Sequence, residues 1–135
     1  MKKLVLLFML IFAASSCSVD GVESSAAAIL PVNNVVMPTK FKVDSVSVIT
    51  VMYRRPTDCY IFNGLYYTVD GNIRTVTVNA VLLNQMNCQN DSETVFEVPM
   101  NFRPTNAGPH IFKFWIGDDL NGMEQYLSYN VDVNP

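Results

Sequence analysis

The chain has 135 residues, enough for one domain of ordinary size around a single packed core. It carries 9 basic and 12 acidic residues, a net charge of −3. An acidic chain without a clustered positive face has no electrostatic footprint for nucleic acid, and its charge does not draw it to an anionic membrane surface.

The N-terminus supplies a different route to a membrane. Lys2 and Lys3 precede the apolar run Leu4 to Phe12, and Ala13-Ala14-Ser15-Ser16-Cys17 follows. A basic start, a short apolar core and small residues before a cleavage point make a secretory signal peptide. The run is far short of the roughly 20 residues that span a bilayer. Ala14-Ser15-Ser16-Cys17 resembles a bacterial lipobox, with Ala14 where Leu is usual. That resemblance implies cleavage before Cys17, lipidation of Cys17 and a membrane partner reached through the lipid. Residues 1–16 are then the lipoprotein signal peptide, 17–30 a small, polar, flexible tether, and 31–135 the folded domain. Without Lys2 and Lys3, seven basic residues stand against twelve acidic ones, a mature charge of −5.

With Cys17 consumed by lipid, Cys59 and Cys88 remain as an even pair. In an oxidising envelope such a pair is most simply a disulfide, worth on the order of 3 kcal/mol in the chain-entropy model. A metal site would need more ligands than these and the single histidine, His110, and a redox pair is more often Cys-x-x-Cys.

From Pro31 the sequence reads as strands and turns, dense in β-branched and aromatic residues and without a sustained 3.6-residue period. The expected strands are Val32 to Met37, Lys42 to Arg54, Tyr60 to Val69, Ile73 to Leu83, Thr94 to Phe102, His110 to Ile116 and Glu124 to Val133. Pro38 and Pro56 stop the first two, and Pro38 and Pro99 mark edge strands because proline cannot donate to a ladder. Asn63-Gly64 predicts a bulge or bend, and Asp70-Gly71 predicts a type I′ hairpin turn. Asn84 to Glu93 is a polar loop pinned by Cys88. About seven strands with frequent turn signals predict an all-β fold, an antiparallel immunoglobulin-like β-sandwich, with a small closed barrel as the competing architecture.

Two stretches carry a wider resemblance. They are Tyr53-Arg54-Arg55-Pro56-Thr57-Asp58-Cys59 with Phe62-Asn63 and Tyr66-Tyr67, and Gly108 to Trp115 with Gly117, Asn121-Gly122 and Tyr126-Leu127. Together they resemble a family of small Bacteroidetes-type (flavobacterial) lipoproteins. The resemblance implies a location and a fold and no reaction. Asp44-Ser45-Val46 also resembles the short O-glycosylation acceptor of those bacteria, with a plain strand start at Ser45 as the alternative.

No catalytic constellation stands out. Any Ser-His-Asp or Cys-His arrangement must use His110, which sits at a strand start and is expected to face solvent. Asp118, Asp119, Asn121 and Glu124 gather oxygen ligands of the type calcium takes, but Asp-Asn-Gly sequences are also what tight turns require. Arg54 and Arg55 beside Asp58 are candidates to hold a carboxylate or sulfate, or form a solvated strand end with a local ion pair. Tyr60, Tyr66 and Tyr67, with Phe62 and Trp115, are the aromatic candidates for a binding surface; Trp115 is expected to pack in the core against the disulfide. The sequence therefore points to a non-enzymatic binding or interaction module at the outer membrane, needing no cofactor. Its recognition edge is expected in loops Arg54 to Asp58 and Asn84 to Asn90, with an envelope protein or glycan as partner. A structural or accessory subunit of an outer-membrane assembly is the alternative.

Overall fold

The structure, a computed structural model, describes residues 24–84 and 87–135. Among these, nine strands and no helix are found: β1 (Ser25–Leu30), β2 (Val32–Val36), β3 (Phe41–Lys42), β4 (Ser47–Tyr53), β5 (Tyr60–Asp70), β6 (Ile73–Leu83), β7 (Phe96–Phe102), β8 (Gly108–Asp118) and β9 (Glu124–Asn134). The protein is all-β, in two sheets with mostly antiparallel pairing.

The smaller sheet has the order β2-β4-β7. In the larger sheet β6 is central. Strand β5 runs along one edge of β6 over its whole length, from Asp70 opposite Ile73 to Tyr60 opposite Leu82. The other edge of β6 is shared, with β8 beside residues 73–76 and β1 beside residues 78–83. Beyond β8 lie β9 and the short β3. The chain passes from the larger to the smaller sheet at Pro31, between Leu30 and Val32, where a residue without an N–H ends one ladder before the next begins.

Alternation decides which faces meet. Ile49, Val51 and Tyr53 of β4 and Met100 and Phe102 of β7 point inward, opposite Val76, Val78 and Ala80 of β6 and Phe112 and Phe114 of β8. Phe112 is fully buried, its ring 4.9 Å from that of Phe102 across the two sheets and edge-on to it. Phe41 closes the same cluster from β3, 6.0 Å from Phe102.

The structure corrects several expectations. Residues 25–30 are not tether but β1, six residues of ladder against β6. The strand expected from Lys42 to Arg54 is broken, because Asp44 takes a left-handed φ of 60° and residues 43–46 turn between β3 and β4. Strict antiparallel pairing fails twice, at β6 with β8 and at β3 with β9, both parallel. The hairpin turn lies one residue later than expected. Its central residues are Gly71 and Asn72, and only Gly71 has positive φ, which is the II′ pattern rather than I′. The bulge at Asn63-Gly64 is present as a register shift between Phe62 and Leu65. Pro99 does lie on an edge strand, β7.

Candidate functional site

Cys59 and Cys88 form a disulfide, with Cα atoms 5.5 Å apart. The bond draws the two expected recognition loops together. Thr57 bridges Asn90, Asp58 N donates to Gln89 O at 3.0 Å, and Gln89 N donates to Asp58 Oδ1 at 2.9 Å. The Asp58 carboxylate lies within 4.8 Å of both sulfurs, but disulfide sulfurs offer no thiolate to a metal.

The two arginines at this edge have separate fates. Arg54 is exposed, with a loose 3.9 Å contact to the exposed Glu93. Arg55 turns inward: its Nε donates to Asp91 Oδ2 at 2.6 Å, its Nη1 donates to Tyr60 O at 2.9 Å, and its guanidinium lies 4.6 Å over Phe96. Phe96 stacks on Tyr53 at 5.5 Å, and Tyr53 stacks on Phe62 at 5.7 Å, so one ring column joins β7, β4 and β5. Bonds from Thr94 and Arg55 hold the Asp91 carboxyl below its ordinary range. Arg55 is thus engaged by Asp91, Tyr60 and Phe96 within the fold.

The expected aromatic surface divides in the same way. Tyr60 is half-buried against the core. Tyr66 is 57% exposed and Tyr67 39%, both on β5. That strand is exposed over most of its length because the three-stranded sheet is too narrow to cover it. Its inner-face residues Phe62, Leu65, Tyr67 and Val69 pair with Ala80, Val78, Val76 and Arg74, while Ile61 and Tyr66 point to the outer face.

Between the overhanging inner face of β5 and the edge strand β7 lies a cleft of about 460 Å³. Leu65, Tyr67 and Val69 line it on one side, Met100 to Thr105 on the other, and Arg74 completes it. The Arg74 Nη1 donates to Gly71 O at 2.7 Å and to Ile73 O at 3.2 Å, which anchors its guanidinium at the hairpin end. Tyr67 is raised above the ordinary phenol range by burial, opposed by the charge of Arg74 and a hydrogen bond from it. Arg103 is 64% exposed and stands 3.9 Å from Asp44 Oδ1.

His110 does not face solvent; it is buried, its Nδ1 3.1 Å from Gly108 O and its ring edge-on to Phe102. Trp115 does not pack in the core, since β8 turns His110, Phe112 and Phe114 inward and leaves Trp115 half-buried on the outer face, Nε1 3.4 Å from Asp118 Oδ1. Asp119 builds the β8–β9 turn, where Oδ1 accepts from Asn121 N at 2.8 Å and Met123 N at 2.9 Å. Ser45 is exposed in the turn before β4 rather than at a strand start. Cys17 lies outside the described residues.

Sequence reasoning missed Arg74, Asn101 and Arg103. The signal for Arg74 was visible: it is the one charge on the strand face that continues as Val76, Val78, Ala80 and Leu82. Among known proteins, no family model, curated protein or solved structure matches the chain.

Proposed function

We propose that this chain is a non-enzymatic interaction module of the cell envelope, an immunoglobulin-like sandwich held at the outer membrane by lipid on Cys17. The lipobox-like Ala14-Ser15-Ser16-Cys17 supports the anchor, and the Cys59–Cys88 disulfide fits an oxidising compartment. The order β2-β4-β7 parallels the first three members of the four-stranded sheet of an immunoglobulin constant-type domain, although the parallel β6–β8 pair departs from that plan. The family of small Bacteroidetes-type lipoproteins remains the resemblance that fits this combination.

The observation that carries the interaction reading is β5. It is an 11-residue strand that pairs only with β6 among the described residues. It exposes Ile61, Phe62, Tyr66, Tyr67 and Val69, and it holds no Lys, Arg or Pro. Natural edge strands are usually blunted by such residues, because an open row of N–H and C=O groups recruits other chains. The bulge at Asn63-Gly64 is its one irregularity, and residues 65–70 stay regular and open. A partner strand added there gains main-chain hydrogen bonds and aromatic contact together.

Capture from solubilised native envelope tests this. The wild-type chain recovers a defined protein partner, and Tyr66→Lys, which places a charge on the open edge, loses it while unfolding at the same temperature. Cys17→Ala is expected to abolish fatty-acid incorporation and release the protein from the membrane fraction. An envelope that yields no partner, or a Tyr66→Lys variant that captures as well as wild type, overturns the interaction reading. The accessory-subunit alternative uses the same edge permanently, and deletion of the chain then disassembles a larger complex instead of releasing a ligand.

A further inference from the structure

We infer that the cleft between β5 and β7 binds a sugar acid, with the ligand carboxylate held by Arg74 and Arg103. The inference rests on the reading of the chain as a binding module, and it needs neither the lipid anchor nor strand pairing at β5. The protein is acidic overall, yet the residues lining this cleft include two guanidinium groups and no carboxylate. Two arginines lining one cleft of a net-negative molecule form an arrangement that an anionic ligand stabilises, and guanidinium forks match a carboxylate bidentately.

The rest of the lining defines what carries that carboxylate. Tyr67, Asn101 and Thr105 offer a hydroxyl or amide group each, and Leu65, Val69, Met100 and Pro104 supply apolar wall. A polyhydroxylated ring has the matching character, with hydroxyls on its edge and C–H groups on its faces. The volume of about 460 Å³ falls at the lower end of ordinary small-ligand pockets, which suits one or two sugar units better than a long chain. The Tyr67 phenol stays protonated at neutral pH; its oxygen accepts from Arg74, so its proton remains available to a ligand oxygen.

Asp44 sets the sign of the test. Its carboxylate stands 3.9 Å from the Arg103 guanidinium and competes with any bound anion. Its φ of 60° is tolerated by Asn better than by other non-glycine residues, so Asp44→Asn removes the competitor without straining the turn. Arg103→Gln removes the exposed cation without opening the core, and Tyr67→Phe removes only the hydroxyl.

The experiment is titration of the purified protein with D-glucuronate, D-glucose and an acidic dipeptide, read by amide chemical shifts and calorimetry. D-glucuronate binds and shifts the amides of residues 65–69 and 101–105, and D-glucose, which shares the ring but lacks the carboxylate, binds at least about tenfold more weakly. Arg103→Gln weakens D-glucuronate at least about fivefold, Tyr67→Phe weakens it about threefold, and Asp44→Asn strengthens it about twofold, with thermal unfolding unchanged in all three. Equal binding of the two sugars, shifts confined to another surface, or weakening by Asp44→Asn overturns the site. An acidic dipeptide that binds as tightly as D-glucuronate overturns the sugar assignment. Because these readouts use the isolated protein, failure here is distinct from failure to find an envelope partner.

Discussion

The disulfide gives the most quantitative prediction. Replacing both Cys59 and Cys88 by Ala opens a loop whose ends are 29 residues apart in sequence. In the chain-entropy model, cross-linking a loop of that size removes denatured-state freedom worth about 3–4 kcal/mol at 25 °C. Residues 60–83 of that loop are the β5–β6 hairpin, whose base is already closed by Leu83 N donating to Cys59 O at 3.0 Å. The native ladder does not replace the bond, because it is absent in the denatured chain, where the cross-link acts. Cys59 is also buried, so its replacement by Ala leaves a void of one sulfur.

Set against a total stability of roughly 5–15 kcal/mol for a domain, a loss of this size leaves the fold marginal. Urea unfolding followed by circular dichroism measures it, and the midpoint temperature falls by roughly 10–20 °C for a domain of this length. Mass spectrometry without reductant first establishes the bond in the wild type. A loss below about 1 kcal/mol refutes the reasoning. In that case the bond acts only on the loop, and hydrogen exchange quickens at Asp58 and Leu83 while the core amides keep their protection.

Three further outcomes follow from packing and charge. Phe112→Ala removes a fully buried ring in contact with Phe41, Phe102 and Phe114, and it costs about 3–5 kcal/mol by denaturant titration. Arg55→Lys gives up the planar fork on Tyr60 O and the face of Phe96, and it destabilises by about 1–2 kcal/mol in the same assay. The folded Asp91 carboxyl is held below its ordinary range, so its contribution is present at neutral pH and is lost as the pH falls through the folded-state value; Asp91→Asn flattens the acid limb of the stability curve. Starting the chain at Pro31 removes β1 with the buried Leu30 and costs about 2–5 kcal/mol.

The β content was legible because it rests on side-chain alternation, and the strongest alternators set the core: Ile49, Val51 and Tyr53, Val76, Val78 and Ala80, Phe112 and Phe114. Strand β1 was not legible. Its sequence Ser-Ala-Ala-Ala-Ile-Leu buries only Leu30 fully, and six backbone pairs to β6 hold it, which leaves no side-chain pattern to read. The parallel β6–β8 contact was equally hidden. Register between segments far apart in sequence depends on where Pro31 sends the chain and on which part of β6 that leaves free, and local periodicity records neither.

Adjacency in sequence misleads for a related reason. Arg54 and Arg55 drew attention because they are adjacent, yet adjacent strand residues face opposite ways, and here one meets solvent while the other is spent on Asp91, Tyr60 and Phe96. A guanidinium serves a ligand only where the fold leaves its donors unclaimed. Arg103 comes closest to that condition. Two backbone carbonyls and the Tyr67 oxygen accept from Arg74, whereas a single loose, solvent-screened carboxylate faces Arg103. Arg74 and Arg103 are 29 positions apart in sequence and line one cleft because the wide sheet overhangs the narrow one. Covering that overhang with a fourth strand in the narrow sheet would bury Tyr67 and Val69 and take the Arg74 charge out of water with only neutral partners, Gly71 O, Ile73 O and Tyr67, which is costly. An arginine on the otherwise apolar face therefore favours an open cleft.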